Sequence, residues 1–206
     1  MSGRQRRAFD LDEALDKAVE LFWRQGYEGT SIADLTAAMG INPPSLYAAF
    51  GNKRALFEKA TDRYTAQRAH YLQSALAEPT AHEAAHTLLT GTVLSATDPA
   101  DPAGCLTVQA ALACRADDQD VAAFLARRRR ATEDALHDRF VRAVADGDLS
   151  PGTDCATLAR YVATVAQGLN VQASGGATRD DLFAVADTAA GAVPGPPCAR
   201  CRTAGA

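Results

Sequence analysis

Residues 31–53 spell two short helices joined by a tight turn, and no other stretch restricts the fold of this chain so far. Ile32, Leu35 and Met39 fall at i, i+3 and i+7, one apolar face of a first helix. Gly40 follows the last apolar residue, where a left-handed cap is needed. Asn42 caps a second helix, and Pro43 fits its first turn, where no intrahelical N–H is required. Leu46 and Phe50, at i and i+4, anchor that helix to a core and leave Ser45, Tyr47, Ala48 and Ala49 facing outward. A short helix with a small-faced N-terminal end suits the DNA major groove.

The flanks complete the unit. Asp10 and Glu13 open a preceding helix with a stripe of Leu11, Ala14, Leu15, Ala18, Leu21 and Phe22, ended by Gly26 near Tyr27. Asn52 and Lys53 open a following helix that can run to Ala77, before Pro79. The run Ala-Val-Glu-Leu-Phe-Trp-Arg-Gln-Gly-Tyr-Glu-Gly-Thr-Ser-Ile-Ala-Asp-Leu-Thr, followed by Ser-Leu-Tyr-Ala-Ala-Phe-Gly-Asn-Lys, closely resembles TetR/AcrR-type transcriptional regulators. Gly26-Tyr27, Thr30, Gly40, Leu46-Tyr47, Phe50 and Lys53 all fall in register, over roughly residues 10 to 60. The remaining chain matches in length and helicity alone.

Charge separates the two parts. Residues 1–70 carry 10 Lys/Arg against 9 Asp/Glu, and the rest carries 11 against 16. DNA repels the acidic remainder, so a nucleic-acid surface belongs at the N-terminal end. No apolar run approaches a membrane span or a signal core, so a cytoplasmic protein without a membrane partner is expected. Residues 1–9 form a basic arm with Arg4, Arg6 and Arg7, suited to minor-groove or phosphate contact.

Beyond Pro79, helices are expected over Thr80–Thr97, Gly104–Cys114, Asp117–Asp146, Asp154–Ala173 and Thr178–Ala190, with a Pro/Asp-rich loop after Asp98. The class is all-α. The organisation is an arm (1–9), a helix-turn-helix domain (10–55), a helical ligand-binding and dimerisation domain (56–191) and an unstructured tail (192–206). The tail holds a lone CxxC, Cys198 and Cys201, without a second ligand pair.

Two further signals compete with this reading. His82-Glu83-Ala84-Ala85-His86 matches H-E-x-x-H, which on a helix places two histidines on one face with a glutamate as base. A metal-dependent hydrolase or metal sensor is the alternative it raises. A working site needs a third ligand, and none stands at a sensible spacing, with His70, Cys105, Asp98 and Asp101 as distant candidates. Arg127 to Arg130 are four successive helical residues pointing in four directions, mostly solvated, with Asp120, Glu133 and Asp134 as partners at helical spacing and an acidic effector as the alternative.

The resemblance implies a dimeric, one-component repressor. It binds a palindromic double-stranded operator, leaves it when a small-molecule effector enters the C-terminal domain, and needs no cofactor. In the head, Asn42, Pro43, Pro44, Ser45 and Ala48 face the groove, and Tyr47 reaches a phosphate. Thr30 and Ser31 cap the helix before the turn, whose N-terminus can face a phosphate. Lys53 is the phosphate cation. The resemblance places the effector among the central helices, with Tyr71, Leu88, Thr92, Cys105, Gln109, Leu112 and Phe124 as candidates. Cys105, after Gly104 at a helix start, is also a candidate reactive thiol. The last two helices are expected to pair with their copies through Leu158, Tyr161, Val162, Val165, Leu169, Leu182, Phe183 and Ala186.

Overall fold

The computed structural model describes residues 10–112 and 118–194, so the arginine arm, Cys114 and the CxxC tail lie outside the described residues. The described residues form ten helices and no strand. The head comprises α1 (Leu11–Gly29), α2 (Ile32–Met39), α3 (Pro43–Phe50) and α4 (Lys53–Gln67). The remainder comprises α5 (Ala69–Ala77), α6 (Ala81–Ala96), α7 (Leu106–Leu112), α8 (Gln119–Ala145), α9 (Cys155–Ser174) and α10 (Arg179–Gly191).

Local capping explains most of the boundaries. Asp10, Asn42, Asn52, Thr80, Asp154 and Thr178 each accept a first-turn backbone N–H at the start of a helix. Gly40 lies in the left-handed region, φ 68°, and its N–H and that of Ile41 close the end of α2 on Thr36 and Ala37. Gly26, at φ 72° and ψ 176°, interrupts α1, so its last residues form a separate turn.

The expected long helix from Lys53 to Ala77 is two helices. It breaks at Arg68, whose φ of −107° and ψ of 6° leave the helical region. Nothing local forces the break. Arg68 is held by tertiary contacts instead, its guanidinium 4.5 Å from the rings of both Trp23 and Tyr64 and 2.5 Å from Asp101.

Two hydrophobic cores result. One joins α1–α4 to α7 and the N-terminal half of α8, through Leu106, Ala110, Val121, Phe124 and Leu125. The head's core therefore extends past residue 55. The other core holds α5, α6, the C-terminal half of α8, α9 and α10. Val193 is buried in it, so the tail begins later than residue 192.

Candidate nucleic-acid interface and effector cavity

The turn between α2 and α3 fixes the direction of α3. Leu46 is fully buried and Phe50 nearly so, which pins one face of α3 to the head's core. Asn42 Oδ1 accepts the Ser45 N–H at 2.9 Å. The opposite face leaves Asn42, Pro43, Pro44, Tyr47 and Ala48 exposed and Ser45 half-exposed, while Ala49 turns toward the core. This surface holds no charged side chain. It offers apolar contact, a hydroxyl, a phenol and an amide, a set suited to thymine methyls and phosphates more than to guanine edges.

Lys53 stands on the first turn of α4 with Nζ 4.3 Å from the centroid of the Tyr27 ring. Burial of its stem holds its pKa below the ordinary lysine value. The ring restricts where the ammonium can point.

Of the two expected caps of α2, one holds and one does not. Thr30 is fully buried and its hydroxyl donates to the Gly26 carbonyl at 2.8 Å, repairing the break in α1. Ser31 does cap α2, but its hydroxyl donates to Asp34 at 2.6 Å, and the Asp34 carboxylate also accepts the Ser31 N–H. Those bonds hold the Asp34 carboxyl below its usual pKa. The anion position at the start of α2 is thus filled by the chain's own carboxylate.

The head is braced from behind. Phe57 meets Phe22 and Tyr27 edge-on at 5.1 Å and Phe124 of α8 at 6.4 Å. Arg63 of α4 bonds Asp16 at 2.6 Å and Asp12 at 2.8 Å on α1. Arg54 reaches Asp120, and Arg128 reaches Asp62. The arginine run therefore does not use the helical partners expected of it. Asp120 is taken by α4, and Glu133 by Arg160.

A cavity of about 160 Å³ lies among α4, α5, α6, α7, α8 and α9. Tyr71, Leu88, Thr92 and Cys105 line it as expected, joined by Arg128 and Arg129 of the arginine run and by Tyr64, Arg68, Gln167 and Asn170, which sequence spacing did not single out. Burial pushes the Tyr71 hydroxyl up to about 12, with Cys105 adding to the shift. Cys105 Sγ lies 3.1 Å from the Thr107 hydroxyl. The other three candidates are elsewhere. Phe124 is in the head's core, Leu112 is 72% exposed, and Gln109 ties the Ala103 carbonyl at 2.7 Å. Gly104 sits against that Gln109 amide at φ 85°, where an added Cβ would lie 2.6 Å from the amide nitrogen and 2.8 Å from the Asn170 carbonyl.

The dimer candidates also divide. Val162, Leu169, Leu182 and Ala186 are buried in this chain's own core, and Leu158, Val165 and Phe183 pack partly against it. Tyr161, Thr164 and Gly168 on α9 and Ala184, Val185 and Thr188 on α10 face outward. The histidine pair does not converge on a metal. His82 and His86 stack at 6.4 Å, His86 faces Asp187, and Glu83 is spent on the capping box with Thr80. Among the described residues no three His, Cys, Asp or Glu side chains could hold an ion.

Comparison with known proteins identifies the family. Residues 14–60 match the model for bacterial regulatory proteins of the tetR family, and residues 83–182 match that for the tetracyclin repressor-like C-terminal domain. The transcriptional repressor ComR of Escherichia coli is 35% identical over 184 residues, 88% of each chain. The chain belongs to the tetR family of transcriptional regulators. It is a DNA-binding helix-turn-helix protein and not an enzyme, so the hydrolase alternative falls. A cysteine-substituted CifR bound to a 26-base-pair operator duplex superposes with a TM-score of 0.87 at 44% identity, covering 91% of this chain and 99% of that one. A TetR regulator from Rhodococcus sp. RHA1 gives 0.62 at 53% identity, covering 90% of this chain and 100% of that one.

Proposed function

We propose that this regulator is a dimeric repressor that holds a palindromic operator through α3 and releases it when a small molecule fills the cavity beside Arg68. The exposed N-terminal face of α3, from Asn42 to Ala48, carries the first half of this reading. The operator complex of CifR supports it. Lys53 supplies the phosphate contact, and Arg4, Arg6 and Arg7 reach the adjacent minor groove.

Two copies pair through the outward faces of α9 and α10, around Tyr161, Gly168 and Val185, with the edges of Leu158, Val165 and Phe183. One recognition helix reads few bases, and a two-fold pair doubles the contact. Release follows from linkage. Tyr64 and Arg68 line the cavity and also pack against Trp23 of α1. A ligand that moves them favours one separation of the two heads over another. The protein acts in the cytoplasm, and no helix of the described residues is long and apolar enough to cross a membrane.

The test is a mobility shift with DNA flanking the protein's own gene, with its mass in solution measured in parallel. A shift by a dimer is expected. A monomer, or no shift on any flanking fragment, would refute the assignment.

A further inference from the structure

The cavity has a composition at odds with the domain around it. Residues 71–206 carry 11 basic and 16 acidic side chains, yet the cavity is lined by Arg68, Arg128 and Arg129 and by no Asp or Glu among the described residues. Two of these arginines are neutralised from outside the wall, Arg68 by Asp101 and Arg128 by Asp62. Arg129 is not. It makes no ion pair or hydrogen bond among the described residues, and its Nη1 is buried without a partner. Glu133, one helical turn further along, has the spacing to pair with it, but bonds Arg160 of α9 at 2.9 Å instead.

A guanidinium cannot escape burial by giving up its proton. A buried charged donor with no acceptor is unfavourable until a partner arrives. The guanidinium fork matches a carboxylate with two parallel N–H···O bonds. The remaining wall is mostly neutral, with apolar Leu72, Leu88 and Val108 and the amide of Gln167. A cavity of 160 Å³ is close in size to one of ~150 Å³ that admits benzene.

We propose that the effector is a small organic acid whose carboxylate sits on Arg129 and whose benzene-sized body fills the apolar part of the cavity. The assignment rests on this cavity being the effector site of a DNA-releasing regulator.

The test titrates the full chain with benzoate and with benzamide, which keeps the ring and loses the charge, using calorimetry. Trp23, the single tryptophan, packs under the Arg68 guanidinium and edge-on against Tyr64 of the wall, so its fluorescence gives a second readout. Benzoate should bind at least about tenfold tighter than benzamide. Arg129→Gln should erase the preference and Arg129→Lys keep part of it. Arg127→Gln removes the same charge from an exposed neighbour and should behave as wild type. Equal binding of acid and amide, no binding of benzoate, or a preference that survives Arg129→Gln would overturn the proposal. Operator binding is measured alongside without acid. Benzoate binding through Arg129 in a protein that never shifts DNA would sink the regulatory reading and leave the acid site standing. A DNA shift with indifference to benzoate would do the reverse.

Discussion

The two cores of this regulator are packed from different material. The head's core interlocks Phe22, Trp23, Phe50, Phe57, Tyr64 and Phe124, several of them edge-on at about 5 Å. In the second core eleven of the twenty-two buried residues among those described are alanine, and Phe140 is the one aromatic. Edge-to-face rings fix both distance and angle, so helices locked by them move as a block. Alanine faces bring helices close but carry no rotamers and few interlocking projections, so they permit sliding. A rigid reading head beside a more deformable core suits the ligand-operated release proposed above. The cavity lies where the two materials meet.

Truncation inside the head should be the severest challenge to this contrast. Phe57→Ala is expected to cost about 3–5 kcal/mol in denaturant unfolding and to abolish operator binding. Leu89→Ala in the alanine-rich core should cost nearer 2 kcal/mol, since small neighbours can close the gap. Equal losses at both sites would break the comparison.

A smaller effect tests deformability directly. A Cβ on Gly91 of α6 would lie 2.8 Å from the Tyr71 Cβ, which no ring rotation moves, so Gly91→Ala must push α5 from α6. The expected cost is about 1–3 kcal/mol. The diagnostic outcome is unchanged operator affinity with an altered effector response. Loss of DNA binding would mean that the head does not move as a block.

Lys53→Ala touches the head's core only at its rim, over the Tyr27 ring. It should leave the unfolding free energy within about 1 kcal/mol of wild type and weaken operator and non-specific DNA alike. The slope of log affinity against log salt should fall by roughly one unit. An unchanged slope in the folded variant removes Lys53 from the phosphate contacts.

The smallest expected effects are at the extremes of pH, and the two regions should differ there in sign. Hydrogen bonding to Arg63 holds the Asp16 carboxyl below its ordinary value. Its contribution is present above the unfolded aspartate pKa and lost as pH falls through the depressed folded one. Asp16 is mostly exposed, so solvent screens that contribution and it stays small. Tyr71 is raised to about 12, so its contribution is full below pH 10 and lost between about 10 and 12. Asp16→Asn should flatten the acid limb of thermal stability and Tyr71→Phe the alkaline limb. Either variant flattening the other limb would contradict the assignment.

The head was legible because its signals are local. Gly40, Asn42, Pro43 and the pair Leu46 and Phe50 specify a cap, a turn and a buried face within a dozen residues. Thr30 was misread for a related reason, while Ser31 caps α2 as its residue type suggests. A threonine suits a cap, but the break at Gly26 decides what the Thr30 hydroxyl bonds. On α9 an apolar stripe shows that a helix is amphipathic, and cannot say whether Val162 or Tyr161 meets the chain's own core.

By itself the sequence determined the helical class, the order and caps of the helices, and the small uncharged face of α3. Those depend on periodicity and on hydrogen bonds spanning three or four residues. The tertiary structure decided the break at Arg68, the sharing of α8 between two cores and the unpaired guanidinium of Arg129. Each of these is set by a competition between partners far apart in the chain. Trp23 and Asp101 fix Arg68, and Arg160 draws Glu133 away from Arg129. Spacing along one helix carries no record of such a competition, because its outcome depends on which helices are brought side by side.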